Sequence, residues 1–174
     1  MVEEQEQKLK LDLGCGNNKR EGFTGVDIIN FKGVDIVADL RELWQWADNS
    51  VDEVCCVHTL EHFTWPERVH FLNELYRVLK VGSKAEIITP HWSHACFYGD
   101  PSHQAPISEW YVFYLNEEWR KTNAPHTKYT CNFDWVIGGS WDEWLNTRNV
   151  EFRQYAMNRN VNSWRDLMIS LIKK

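Results

Sequence analysis

The sequence predicts an α/β chain built on a mostly parallel sheet, and three short segments carry that expectation. The first is Leu11-Asp12-Leu13-Gly14-Cys15-Gly16, where an alternating run from Lys8 turns apolar and meets two glycines. The second is an apolar run over residues 23–28 that carries Asp27 near its end, and the third a run over residues 34–38 followed by Asp39. Glycine lacks a Cβ, so Gly14 and Gly16 allow a sharp turn and close approach of a ligand to the backbone. Three strand ends, each with a polar group at its tip, outline a crevice that holds a nucleoside, with Asp27 as partner for its ribose hydroxyls.

The elements follow in order. Residues 54–58 read as a fourth strand. A helix is predicted over residues 65–80: Thr64 and Glu67 form a capping box, Pro66 lies near the start and Gly82 follows the end. Val69, Leu72, Leu75 and Leu79 recur at helical spacing and are expected to face the sheet. Residues 84–89 form a fifth strand. Beyond Pro90 the pattern weakens to an aromatic-faced helix near Ile107, Trp110, Tyr111 and Tyr114. Strands follow over 129–137 and 164–172, with a short helix at 150–158 between them.

The glycine turn narrows the ligand. A dinucleotide fingerprint needs a third glycine where this chain has Lys19, and no phosphate-binding loop of the G-x-x-x-x-G-K-[ST] kind occurs. A nucleoside bearing an amino acid fits better, which points to S-adenosylmethionine. With these features, with His58-Thr59-Leu60-Glu61-His62, and with the strand-helix-strand through residues 77–83, the sequence resembles the class I S-adenosylmethionine-dependent methyltransferases. Among these it is most similar to the small, type 11-like members, and the resemblance is strong over residues 8–90. It implies a Rossmann-like, mostly parallel sheet closed by an antiparallel pair, pared down by short crossovers after strands 1 and 2. The cofactor residues it implies are Asp12, Gly14, Cys15, Gly16, Lys19, Asp27, Ile28, Asp39, Leu40, His58 and Thr59.

Length and composition agree with one domain over residues 1–174, comprising a cofactor core at 8–90 and acceptor loops and closing strands at 91–174. No stretch reads as a membrane span, and the acidic start Val2-Glu3-Glu4-Gln5-Glu6-Gln7 does not read as a signal peptide. Five cysteines without C-x-x-C spacing suggest a reducing, cytoplasmic setting. A net charge of -6 argues against a broad grip on nucleic acid but leaves room for a local basic patch at Arg120-Lys121.

Parallel neighbours normally need a crossover of a dozen or more residues. The short links here delete most of one helical layer, leaving Leu11, Leu13, Val26, Ile28, Val34 and Ile36 among the residues short of cover. A homodimer is the expected remedy. The helix missing after the glycine turn would have helped hold the methionine carboxylate. Either Lys19 or Arg20 supplies that charge, or both are solvated turn residues.

The acceptor side falls to the loops after the fifth strand, with His91, His94, Asp100 and His103 as candidate bases and Trp92 and Tyr98 as apolar walls. The text H-x-x-E-H matches a zinc signature, but His58 ends a strand instead of sharing a helix face with His62, so no metal is expected. The box of amino-methylating DNA enzymes and the Pro-Cys of cytosine C5 enzymes are both missing. The favoured acceptor is a small molecule or a nucleotide-like metabolite. The alternatives are a nucleic acid held with a partner, or a silent S-adenosylmethionine-binding protein.

Overall fold

A computed structural model describes residues 8–174; the acidic start at residues 2–7 lies outside them. One seven-stranded sheet runs through the described chain: β1 (Lys10–Leu13), β2 (Thr24–Asp27), β3 (Ile36–Val37), β4 (Val51–Val57), β5 (Leu79–Pro90), β6 (Phe133–Trp141) and β7 (Trp164–Lys173). Its order is β3-β2-β1-β4-β5-β7-β6. The first five strands pair in parallel, and β7 runs antiparallel to both neighbours. Among the described residues four α-helices accompany it: α1 (Trp65–Val78), α2 (Ala95–Gly99), α3 (Glu117–Asn123) and α4 (Val150–Arg159). No helix joins β1 to β2 or β2 to β3, as the short links require.

The capping box forms: the Thr64 backbone N–H and hydroxyl both donate to Glu67 Oε2, at 2.7 Å each. At the other end α1 stops at Val78, two residues before the expected end. Leu79 is already extended (φ -62, ψ 141) and opens β5, so Gly82 lies inside the strand instead of after the helix. The aromatic segment is helical as expected, but in a tighter form. It is a 3-10 helix over Glu109–Leu115, packed on the same side of the sheet as α1, with Val112 and Leu115 in the core.

One expectation about the sheet is corrected. Rows of paired residues share a face, and Leu11, Leu13, Val26 and Val54 belong to the rows covered by α1, where Phe71, Leu72, Leu75 and Val78 are buried with them. These apolar residues are fully buried, and Ile36 packs against the same core while Val34 is half-buried. Ile28 lies beyond the end of β2 and is 52% exposed. The opposite face, left without crossover helices, carries the rows Lys10–Glu53–Lys84 and Asp12–Cys55–Glu86. Ion pairs tie it together: Lys10–Glu53 at 2.7 Å, Lys84–Glu86 at 2.5 Å and Arg20–Glu86 at 2.9 Å. Charged side chains tolerate water, so this part of the face needs no helix above it. Towards β7 and β6 the face turns apolar, with Val136 62%, Met168 43% and Ile172 37% exposed, and at the far edge Val37 of β3 is 56% exposed.

Candidate active site

The site lies at the carboxyl ends of β1, β2 and β4, where open α/β sheets bind ligands. After β1, Gly14 and Gly16 both take positive φ (71 and 51), and the Gly14 and Cys15 N–H groups donate to the Val26 carbonyl. A Cβ at Gly14 would overlap Thr59 Oγ1, so glycine is required here by protein packing as well as by torsion. Asp27 closes the loop from the other side: Oδ2 accepts from Gly16 N and Oδ1 from Ile29 N, both at 2.9 Å. Each carboxylate oxygen keeps a second lone-pair direction for a ligand hydroxyl.

Three adjoining cavities form around this point. The first, about 490 Å³, is lined by Gly14, Gly16, Asp27, Ile28, Asp39, Leu40, His58 and Thr59 among the expected cofactor residues. Arg41 forks onto Asp39 and holds its carboxyl below the usual range. The second cavity, about 500 Å³, shares Gly14, Gly16 and His58 with the first and adds Asp12 and Cys15. Burial pushes the Asp12 carboxyl up, against the pull of the Arg20 N–H at 2.7 Å. Of the two candidate cations, Arg20 lines this second cavity, its guanidinium paired with Glu86. Lys19 lines neither cavity; its Nζ pairs with Asp35 at 2.8 Å.

The third cavity, about 610 Å³, adjoins the first through His58 and His62. Asp100 and His103 of the four expected catalytic residues line it. The structure places the other two elsewhere. The His91 ring is buried between Ser93 Oγ (2.8 Å) and Glu109 Oε2 (3.2 Å), and burial pushes its pKa down. His94 caps α2 by accepting from Cys96 N and holds Asp142 at 3.1 Å through Nε2. Both turn inward because the chain after Pro90 stays bonded to its neighbours, His91 N to Arg165 O and Trp92 N to Ile107 O.

His58 is the residue whose place the sequence understates, since it lines all three cavities. It has left-handed torsion (φ 51), uncommon outside glycine. Its half-exposed ring sits between Glu61 Oε1 at 3.3 Å from Nδ1 and Asp166 Oδ1 at 3.8 Å from Nε2. The Glu61 hydrogen bond raises its pKa despite burial. A polar residue at the tip of β4 is a readable signal; Asp166, on β7, is not. No His pair shares a helix face here, since His58 follows β4 and His62 ends a 3-10 turn over Leu60–His62. Glu61, His62 and His103 nevertheless converge.

Residues 17–87 match the family described as "Methyltransferase domain". No curated protein sequence matches the chain. Among solved structures, it is similar to a SAM-dependent methyltransferase from Archaeoglobus fulgidus (24% identity, TM-score 0.73, 95% of this chain and 86% of that one). It is also similar to the YcgJ protein of Bacillus subtilis (15% identity, TM-score 0.58, 98% and 94%). A third is geranyl diphosphate C-methyltransferase from Streptomyces coelicolor, solved with S-adenosyl-L-homocysteine (12% identity, TM-score 0.56, 96% and 71%). At such identities the structural likeness speaks for the fold. Joined to the matched segment, it gives the described chain the fold of the class I methyltransferases, with the glycine turn and strand-end acids at its ligand-binding edge.

Proposed function

We propose that the chain methylates a small-molecule or nucleotide-like acceptor bound in the third cavity, with His58 as the base. The observation that carries this reading is the position of His58, in the wall common to the three cavities. S-adenosylmethionine, when bound, supplies the methyl group from a sulfonium whose sulfur leaves neutral. Asp27 accepts hydrogen bonds from the ribose hydroxyls, and Asp39 and Leu40 border the base. Asp12 and Arg20 offer one charge of each sign to the amino and carboxylate ends of the methionine portion; Arg20 suits this better than Lys19 because it lines the same cavity as Asp12.

On the acceptor side, a carboxylate facing His58 Nδ1 makes that nitrogen the donor and leaves Nε2 to take the acceptor's proton. Asp166 then steadies the imidazolium. Asp100 and His103 stand across the same cavity as further polar contacts, whereas His91 and His94 act by holding the loop. A volume of about 610 Å³ suits a metabolite or a single nucleotide better than a duplex.

His58→Gln is expected to keep adenosylhomocysteine affinity while turnover falls about 100-fold or more. Turnover is read as adenosylhomocysteine release with cell extract as acceptor source. Parent-like turnover would remove His58 from catalysis. Loss of the methylated product on nuclease treatment would replace the metabolite with a nucleic acid. No release with any fraction would favour a silent binding protein.

Five unpaired cysteines fit a reducing compartment such as the cytoplasm. Among the described residues no helix is long and apolar enough to cross a membrane. The apolar strip of Val136, Met168 and Ile172 is the part of the open face that a second copy would cover. Light scattering is expected to report a dimer at micromolar concentration; a monomer that binds no hydrophobic dye would refute this.

A further inference from the structure

We propose that Glu61, His62 and His103 bind one divalent transition-metal ion in the wall of the third cavity. One ligand atom from each lies within 4.8 Å of the other two, and the two imidazole rings stand 4.8 Å apart at 69°. Three donors about 2.0–2.2 Å from a shared ion are roughly 3–4 Å from one another, so small side-chain rotations close the site.

Hydrogen bonds outside the cluster set both imidazoles up as ligands. His103 Nδ1 lies 2.7 Å from the Phe97 carbonyl, which can only accept, so Nδ1 carries the proton and the neutral ring keeps its lone pair on Nε2. Ser102 Oγ donates its single proton to Asp100 Oδ1 at 2.6 Å, and therefore accepts from His62 Nδ1 at 3.0 Å. His62 likewise keeps its lone pair on Nε2. Partners of this kind on the far nitrogen orient metal-binding histidines and strengthen them as donors. His103 Nε2 also stands 3.9 Å from Asp100 Oδ2, which sets a further carboxylate beside any cation held there.

The third donor is a fully buried carboxylate. Glu61 has Thr89 Oγ1 on one oxygen and His58 Nδ1 on the other, which leaves lone-pair directions unused. The fold holds these donors together although about 40 residues of chain separate them. Buried Arg68 donates from Nε to Leu60 O and reaches Ala105 O through Nη2, while Gln104 N donates to Glu61 O at 2.9 Å. Two imidazoles with one carboxylate favour the manganese-to-zinc series over magnesium or calcium, which prefer oxygen. Three protein ligands leave at least one coordination position open, and His62 is exposed on the cavity side. That position takes a water or an acceptor oxygen. The second occupant rests on reading this cavity as the acceptor site; metal binding itself does not.

The test uses full-length protein stripped with chelator, without cofactor or acceptor. Co2+ is titrated by visible absorption and Zn2+ by calorimetry. One ion per chain is expected, with affinity at least about tenfold weaker in His62→Ala and in His103→Ala. Cys96→Ser, which alters the exposed thiol of the same cavity, is expected to bind as the parent does. Circular dichroism confirms that each variant is folded, and His62→Gln repeats the loss while keeping a donor for Ser102. Binding no tighter than in the His62→Ala/His103→Ala double variant would overturn the proposal, as would binding lost only in Cys96→Ser. Failed metal binding with His58-dependent methyl transfer would sink this site and leave the function standing; the reverse result would do the opposite.

Discussion

Replacing Asp27 by Asn tests both the fold and the cofactor site. The two side chains have the same shape, but one carboxylate oxygen becomes an NH2 group. In the parent, both oxygens accept a backbone N–H at 2.9 Å, from Gly16 and from Ile29. Whichever way the amide turns, one of those N–H groups then faces a donor. A hydrogen bond to a charged group contributes about 1.5–3 kcal/mol, and Asp27 is buried, so little of that loss is recovered from water. For a chain of this size about 2–4 °C of melting temperature follows each kcal/mol, so Tm should fall by roughly 3–12 °C. The ribose hydroxyl that meets the lost acceptor forfeits a bond of the same strength, which weakens cofactor binding by a factor of about 10–150. Thermal melting of the free protein measures the first effect, and calorimetric titration with adenosylhomocysteine the second. A lowered Tm with parent-like affinity would mean that Asp27 staples the turn without touching the ligand. An unchanged Tm would refute the hydrogen-bond account itself.

Two further perturbations follow from the same geometry. Gly14→Ala should cost about 1–2 kcal/mol for its left-handed torsion and a further 1–3 kcal/mol for the overlap with Thr59, while Gly14→Ala/Thr59→Ala should recover part of the second amount in denaturant melts. If the double variant melts no higher than the single one, Thr59 is not the obstacle. The second concerns pH. Burial lowers the folded pKa of His91 below its ordinary 6.5, so the unfolded chain binds the proton more readily. The stability that His91 contributes is therefore complete above 6.5 and is lost as pH falls from there through the folded pKa. The stability difference between the parent and His91→Gln should narrow over that window in urea melts, and a gap independent of pH would overturn the assignment.

Much of the first cavity's wall was legible because its signals are local. A glycine pair with positive φ, a strand that ends on an acid, and a capping box three residues wide each depend on a few consecutive residues. Gly14, Gly16, Asp27 and Thr59 therefore reach the first cavity where their places along the chain put them. The wall of the third cavity was legible only in part. His91, His94 and His103 look alike as imidazoles in a polar loop, yet hydrogen bonds to Glu109 and Asp142 turn the first two away from the cavity that His103 lines.

Sequence alone determined the parallel sheet, the deleted crossovers and the glycine-acid frame, since torsional freedom and the two-residue period of a strand act within single elements. Tertiary structure decided the rest. Register chose which face each strand residue occupies, turning a face expected to be hydrophobic into one held by Lys10–Glu53 and Lys84–Glu86. Packing around Arg68 drew His103 to Glu61 and His62, and the antiparallel return of β7 set Asp166 beside His58. Such meetings join residues about 40 to 100 positions apart. They are fixed by the direction in which packed elements leave the core, which no local pattern encodes.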